Sequence, residues 1–206
     1  AKRPLLRSGI LSIVDSPIPL SMQLGKVLSA PEDIKDIQLK GCTVGDEDLQ
    51  TIMKAVKKRG VRGLTLARCE ATDSQAAELA RFLHEREKSL RPLEQLGLDG
   101  NVKLTDKAAT ALSVALRSNN TLTELSLWGT SVSDHGATAL ARALKTNTTL
   151  QQLWLGECEG VTDEGAAALK ESLQVNTTLQ QLGLVCTGVS DELQDEIEDL
   201  VQSQRE

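Results

Sequence analysis

Aromatic residues are nearly absent from this chain of 206 residues, which has no Tyr, one Phe and two Trp. Leu and Ala must therefore fill its interior, and the two large rings of Trp128 and Trp154 stand out. No run of 18 apolar residues occurs, so we expect no membrane-spanning helix. The N-terminus also lacks the charged, apolar and small-residue regions of a secretory signal, which favours a cytoplasmic protein.

Recognisable catalytic and metal-binding patterns are also missing. No glycine-rich phosphate loop with a Lys and a Ser or Thr occurs, and no nucleophile lies in a recognisable elbow. The two histidines, His84 and His135, lie far apart in the sequence, and there is no Cys-x-x-Cys pair. We therefore predict a protein that is not an enzyme and that binds no metal and no cofactor, with His135 exposed to solvent.

What the chain does contain is a repeated phrase, L-x-x-L-x-L, with apolar residues at its first, fourth and sixth positions. Six copies begin at Ile34, Val61, Leu93, Leu122, Leu150 and Leu179, and successive copies lie 27 to 32 residues apart. Apolar residues at helical spacing follow each copy. One strand and one helix per unit of this length predict a stacked solenoid. A weaker copy occurs at residues 11–13.

A turn slot follows each strand, three residues beyond its last apolar position. It holds small residues, namely Cys42, Cys69, Asn101, Thr130, Cys158 and Thr187. Their side chains are predicted to satisfy backbone groups of the next repeat. We expect the slot cysteines to be reduced structural thiols, which favours a reducing compartment, and Cys186, one position before the slot, to be exposed.

With these features, residues 34 to 190 resemble the leucine-rich repeats of the ribonuclease-inhibitor-like class. That class also includes Ran GTPase-activating protein and the repeat regions of NOD-like receptors. The resemblance implies an α/β leucine-rich repeat solenoid, a right-handed horseshoe with parallel strands on its concave face and helices on its convex face. Proteins of this class mostly act through contacts with other proteins.

The pattern changes at both ends of the array. We predict an N-terminal capping segment or degenerate first repeat at residues 1–33, leucine-rich repeats at 34–189 and a C-terminal capping helix at 190–206. Leu20, Leu24 and Leu28 predict a helix in the first segment. The terminal helix carries many acidic residues, which are a solvated face or, alternatively, a docking site for a basic partner.

Polar residues at recurring positions predict how each helix begins and ends. Ser133, Thr162 and Ser190 each precede an Asp, which predicts helix N-caps. Asn-x-Thr triplets, which can mark glycosylation, begin at 119, 147 and 176. Because they recur between a helix and the next strand, we predict a structural role in which Asn adopts a left-handed C-cap conformation.

Side chains that alternate with the core leucines should line the concave face. Trp128 and Trp154 are predicted to lie diagonally on neighbouring strands among small residues. The rings either form an apolar shelf for a protein partner or fold over glycine gaps and stabilise the sheet. The predicted partner-binding residues are Trp128, Trp154, Glu124, Gln152, Asp99, Glu157 and Val185.

Charge is distributed unevenly, with 17 Lys and Arg against 14 Asp and Glu in residues 1–103, and 6 against 15 in residues 104–206. A basic cluster comprises Lys54, Lys57, Lys58, Arg59, Arg62 and Arg68. A net charge of −6, a pI of about 5.1 and the absence of interleaved aromatic residues argue against nucleic-acid binding.

The sequence thus predicts a module that binds another protein through its concave face. Two alternatives stay open. One is a regulator of a GTPase or another enzyme, for which Arg62, Arg68 or Asp99 would have to act near the partner's active site. The other is the ligand-sensing repeat region of a larger NOD-like-receptor-type protein. The sequence does not specify an oligomeric state.

Overall fold

The computed structural model describes residues 5–16, 20, 23–24, 33–84 and 93–204. The described strands are β1 (Leu5–Arg7), β2 (Ile10–Val14), β3 (Asp36–Lys40), β4 (Gly63–Ala67), β5 (Gln95–Gly97), β6 (Glu124–Ser126), β7 (Gln152–Trp154) and β8 (Gln181–Gly183). The described helices are α1 (Asp46–Arg59), α2 (Asp73–His84), α3 (Asp106–Leu116), α4 (Asp134–Leu144), α5 (Asp163–Leu173) and α6 (Asp191–Ser203).

One sheet contains these strands in chain order. β1 is antiparallel to β2, and every later neighbour is parallel, with a helix crossing between consecutive strands from β3 onward. Parallel strands need such crossovers, so one strand and one helix per repeat produce a stack. The predicted α/β solenoid is confirmed. The weak copy at residues 11–13 is also confirmed, because Leu11 pairs with Ile37 and both are fully buried.

The core lies between the sheet and the helices. Leu64, Leu96, Leu125 and Leu153 pair in register across neighbouring strands and are at most 1% exposed. Each helix buries one apolar stripe against them, as the helical spacing predicts. In the predicted N-terminal helix, Leu20 and Leu24 are helical and buried, whereas Leu28 lies outside the described residues.

Shortly after each strand from β2 to β8, one residue adopts a left-handed backbone conformation. These residues, with φ between 46° and 67°, are Asp15, Gly41, Arg68, Gly100, Gly129, Glu157 and Cys186. Glycine adopts this conformation without a steric penalty, whereas other residues lose about 1 kcal/mol or more. Arg68, Glu157 and Cys186 therefore carry a side chain at positions where glycine would be less strained.

Four turn-slot side chains donate to a backbone carbonyl of the preceding repeat, so the prediction of bonds to the next repeat was wrong; they are Cys42, Cys69, Asn101 and Cys158. The hydroxyls of Thr130 and Thr187 donate to a carbonyl of their own repeat. Cys158 Sγ donates to Leu127 O at 3.1 Å, and Asn101 Nδ2 donates to Leu66 O at 2.7 Å. The reason lies in the strand geometry, because Leu127 also directs its N–H toward the following strand. Its carbonyl therefore meets the slot residue of the following repeat.

Burial also sets the chemistry of the slot thiols. Burial raises the pKa of Cys69 to about 11 and raises that of Cys158, although hydrogen bonds oppose the change. Cys42, Cys69 and Cys158 are buried free thiols and Cys186 is exposed, which confirms the predicted division.

We expect one fast-reacting thiol in the native chain. Cys186 is exposed and should react with 5,5′-dithiobis(2-nitrobenzoate) in a fast first phase. The other three thiols are buried, which disfavours the reactive thiolate and excludes the reagent. They should therefore react only when the structure opens. Absorbance at 412 nm would measure this. Cys186→Ser should abolish the fast phase, and guanidinium should expose the remaining thiols. A fast phase that survives in Cys186→Ser would contradict the expectation.

An asparagine ladder joins the loops that lead into the strands. Asn147 Nδ2 donates to Leu116 O and to Asn119 O at 2.7 and 3.0 Å, and its Oδ1 accepts the N–H of Thr149 and Leu150. Asn176 and Asn119 repeat parts of this pattern. The structural role of the triplets is confirmed, but the predicted left-handed cap is wrong, because these asparagines do not have positive φ. Their side chains, buried at Asn147 and Asn176 and half-buried at Asn119, perform the capping through hydrogen bonds.

A second ladder joins the helix N-termini. Asp134 Oδ1 accepts the N–H of Thr162 at 2.7 Å and of Gly165 at 2.9 Å, while Oδ2 accepts the Thr162 hydroxyl at 2.8 Å. Ser133 and Ser190 likewise donate their hydroxyls to aspartates of the preceding repeat. The predicted N-cap positions are confirmed. The hydroxyls of Ser133 and Ser190, however, accept no helix N–H, because they donate to a carboxylate of the preceding repeat.

The Asp134 ladder should make stability depend on pH in acid. Burial alone would raise the pKa of Asp134, but hydrogen bonds from Thr162 and Gly165, helped by His135, hold it below its ordinary value. Because the folded-state pKa is lower than the unfolded one, its stabilisation is complete above about pH 4 and is lost as pH falls through the folded pKa.

We expect Asp134→Ala to lower the free energy of unfolding by about 1–2 kcal/mol at pH 7 and by less at pH 3. Urea unfolding of both proteins at the two pH values would measure the difference. Glu159→Ala, which removes an exposed carboxylate outside the Asp134 ladder, is the matched control and should change stability little. An equal difference at both pH values would contradict a role for the carboxylate charge.

Candidate partner-binding surface

The sheet face is the side of the sheet formed by residues that alternate with the core leucines. Its rows follow from the strand register, in which Ser126 pairs with Trp154 and Trp154 pairs with Gly183. A neighbouring row runs through Glu124, Gln152 and other polar residues. The alternation predicted from the sequence is therefore present, and it places both Trp side chains on this face.

The two Trp rings each lie across the backbone of the following strand. A β-carbon at Gly156 would collide with the Trp128 ring, and one at Gly183 would collide with the Trp154 ring. Glycine at these positions therefore lets the rings lie down on the sheet. Both rings remain partly exposed, so the glycine gaps position them without hiding them. The packing arrangement is present, and a role in binding stays a prediction.

A pocket of about 330 Å³ lies beside the two rings. Its lining consists of Thr65, Gln95, Leu96, Gly97, Asp99, Glu124, Ser126, Trp128 and Trp154. The Ser126 hydroxyl donates to Asp99 Oδ1 and also accepts the Trp128 N–H at 3.5 Å. These bonds fix the Asp99 carboxylate at the pocket wall. Both charged lining residues are acidic, so the pocket combines aromatic rings with negative charge.

The structure brings four of the seven predicted partner-binding residues together at this pocket: Trp128, Trp154, Asp99 and Glu124. Gln152 is half-buried in the row beside Glu124 but does not line the pocket. Glu157 and Val185 are exposed, and Val185 lines a different cavity near β8.

Sequence reasoning did not select three polar lining residues, Thr65, Gln95 and Ser126. Gln95 pairs with Glu124, and Ser126 pairs with Trp154. The strand register therefore held the signal, because residues at equal positions in successive repeats become neighbours. Ser126 matters most, since it orients Asp99.

Part of the predicted basic cluster lies on the helix side of the array. Lys54 and Lys57 line a cavity of about 390 Å³ together with Met53, Phe82 and other residues of α1 and α2. Arg62 and Arg68 do not line it. The cavity adds one partly buried aromatic ring to the cluster, and the expectation against nucleic-acid binding stays a prediction.

The part of the chain that the structure describes offers neither a metal-binding cluster nor a membrane-spanning helix. No three His, Cys, Asp or Glu side chains in that part are grouped so that they could hold a metal ion. No helix there has both the length and the apolar character needed to cross a membrane.

Comparisons with known proteins agree with the geometry of the fold. Residues 118–141 and 146–170 match the family described as Leucine Rich repeat. No curated protein matches the chain in sequence. The matched segments include β6 and β7 and most of α4 and α5.

Solved structures resemble the chain in fold. Actin-binding site 2 of leiomodin-1 has a TM-score of 0.51 and 17% identity over 92% of this chain and 93% of that chain. A chain of the yeast Rad7–Elc1 complex has a TM-score of 0.61 and 22% identity over 92% of this chain, which spans only 46% of that chain. The C-terminal domain of Caenorhabditis elegans tropomodulin has a TM-score of 0.50 and 10% identity over 90% and 93%.

The fold is therefore a leucine-rich repeat solenoid. Assignment to the ribonuclease-inhibitor-like class stays a prediction, as do the location of the protein and its lack of enzyme activity.

Proposed function

We propose that the chain is a protein-binding module whose sheet face holds a partner at the pocket beside Trp128 and Trp154. The observation that carries this proposal is the pocket itself, where two partly exposed rings stand next to Asp99 and Glu124. Large aromatic side chains in the middle of a polar surface are typical of binding hot spots. The solved neighbours include an actin-binding site and a protein complex, which also supports protein binding.

The chemistry of the pocket favours a partner that presents a Lys or Arg side chain. A cation in the pocket would meet the carboxylates of Asp99 and Glu124 and could lie against the face of a Trp ring. A volume of about 330 Å³ has room for one such side chain and the backbone beside it. Ser126 holds Asp99 in place beforehand, which lowers the ordering cost of binding.

Residues outside the pocket would set the orientation of the partner. Gln152 lies on β7 and is partly exposed, whereas Glu157 follows β7, Val185 follows β8, and both are exposed. Glu157 keeps a left-handed backbone, with φ of 55°, where glycine would be less strained. Strain of this kind at an exposed side chain is common at binding sites, which supports including Glu157 in the contact surface.

Affinity purification with the immobilised chain, followed by mass spectrometry and reconstitution with the purified partner, tests the proposal. We expect a binary complex in which Glu124→Gln weakens affinity about tenfold, or ~1.4 kcal/mol, with the loss diminishing at high salt. Isothermal titration calorimetry would measure it, and Asp99→Asn should behave similarly.

Glu164→Gln, on the first turn of α5, is the matched control because it removes the same charge away from the sheet face. Its affinity should equal that of the wild type. Failure to reconstitute a binary complex, or an equal loss in Glu124→Gln and Glu164→Gln, would contradict binding at this pocket.

A further inference from the structure

The helices α1 and α2 pack less closely than the helix pairs that follow them. Their backbones approach each other over a much shorter stretch than those of α2 and α3, α3 and α4, or α4 and α5. A groove with a volume of about 390 Å³ lies between them on the helix side of the array. Its lining includes Met53, Lys54 and Lys57 of α1 and Glu78, Arg81 and Phe82 of α2.

A long polar side chain separates the first turns of these two helices. The third residue of α4 and of α5 is a glycine, and a β-carbon on Gly165 would lie only 3.0 Å from the β-carbon of Ala137. The third residue of α2 is Gln75, which is 5% exposed and donates from Nε2 to Val44 O and to Asp46 Oδ1, both at 2.9 Å. The Gln75 side chain therefore fills the space in which the later helices make close contact.

Two large apolar side chains line the groove where later helices carry small residues. Phe82 is the tenth residue of α2, whereas the tenth residues of α3, α4 and α5 are Ala115, Ala143 and Ser172, each at most 2% exposed. Met53 is the eighth residue of α1, a position that holds Ser in α3 and Ala in α4. Both Met53 and Phe82 are only half-buried. The larger side chains therefore keep the two helices apart and leave apolar surface open between them.

The rim of the groove is basic, although the chain has a net charge of −6. Lys54, Lys57 and Arg81 line it and are exposed, and Glu78 is the one carboxylate in the lining. Arg81 Nη2 lies 3.9 Å from Glu78 Oε1, and the Arg81 side chain is 76% exposed. Because an exposed ion pair of this length contributes little, Arg81 can still bind an anion from a partner. The groove therefore selects negative charge around an apolar floor.

The shape of the groove suits a helix. α1 lines it from Gln50 to Lys57 through residues three and four positions apart, which is about 10 Å or two helical turns. A groove between two helices takes an amphipathic helix whose apolar residues enter it at the same spacing. The volume of about 390 Å³ has room for one or two apolar side chains of such a helix.

We propose that the groove between α1 and α2 binds an acidic amphipathic helix of another protein. An apolar side chain of that helix lies between Met53 and Phe82. Its Asp and Glu residues pair with Lys54, Lys57 and Arg81. The groove shares no lining residue with the sheet-face pocket and lies on the other side of the core, so this binding does not depend on the sheet-face function.

A synthetic 15-residue peptide with Leu along one helical stripe, Glu at the flanking positions and Ala elsewhere tests the proposal. Fluorescence anisotropy of the labelled peptide should give a Kd of about 10 μM at low salt, weaker at high salt. NMR amide shifts should change in α1 and α2. Phe82→Ala and Lys54→Glu should each weaken binding about tenfold. Phe82→Ala introduces the residue that α3 and α4 have at this position, so it should fold, which circular dichroism would verify.

Arg142→Glu is the matched control, because Arg142 is an exposed cation and the ninth residue of α4, as Lys54 is of α1. It should leave the affinity near the wild-type value, and so should Trp128→Ala, which separates a failure here from a failure of the sheet-face proposal. A peptide with Ser in place of Leu should bind at least about tenfold more weakly. No binding of the Leu peptide, equal binding of the Ser peptide, or equal losses in Lys54→Glu and Arg142→Glu would overturn the proposal.

Two other occupants of the groove would also be detected. Sedimentation velocity should show that Phe82→Ala leaves the oligomeric state unchanged; a dimer that this variant dissociates would assign the groove to a second copy of the chain. An RNA duplex should displace the labelled peptide less effectively than the unlabelled peptide does. The opposite order would assign the groove to nucleic acid, and either result would overturn binding of an acidic helix.

Discussion

Replacing Trp128 and Trp154 together by alanine is expected to abolish measurable binding of the sheet-face partner while the array stays folded. A buried aromatic anchor at an interface commonly contributes about 2–4 kcal/mol, so each ring should account for ~30-fold or more in affinity. Both rings are partly exposed in the free chain, and they lie over glycines and not within the core. Calorimetric titration with the reconstituted partner would measure the loss, and circular dichroism would verify folding.

A second variant tests whether binding depends on where the Trp128 ring lies and not only on its being there. Gly156→Ala keeps Trp128 but places a β-carbon where the ring now lies, so the ring must move. We expect this variant to lose much of the affinity lost in Trp128→Ala. Val114→Ala, an exposed apolar truncation on α3, is the control and should bind normally. Unchanged affinity in the double Trp variant would assign the rings to sheet packing alone.

The largest effect on stability is expected from Asn147→Ala. The Asn147 side chain is 3% exposed and forms hydrogen bonds to two backbone carbonyls and two backbone N–H groups. Its loss leaves these groups without partners in a buried loop between repeats. We expect the free energy of unfolding to fall by about 2–5 kcal/mol. Urea unfolding followed by circular dichroism would measure it.

Thr148→Ala is the matched control because Thr148 is exposed and belongs to the same Asn-x-Thr triplet. It should change stability by no more than about 0.5 kcal/mol. Because an array can unfold repeat by repeat, the unfolding midpoint is a safer comparison than an extrapolated value. Similar midpoints for the two variants would mean that the asparagine ladder contributes little.

The repeated L-x-x-L-x-L phrase by itself determined the fold. The strand register, the buried leucines and the division between buried and exposed cysteines all follow from which residues recur at one spacing, since equal positions in a stack become neighbours. The same spacing placed Trp128 and Trp154 on the sheet face. It also correctly indicated that the asparagines at 119, 147 and 176 have a structural role.

Only the tertiary structure decided which groups those recurring polar residues contact. The slot cysteines bond backward, Ser133 donates to Asp106 one repeat earlier, and Asn147 bonds through its side chain. A repeat pattern determines which repeats are neighbours. It does not determine whether a carbonyl or a hydroxyl points toward the preceding or the following repeat. For the same reason, only the positions of the two rings and of the glycines beneath them in space define the pocket beside Trp128.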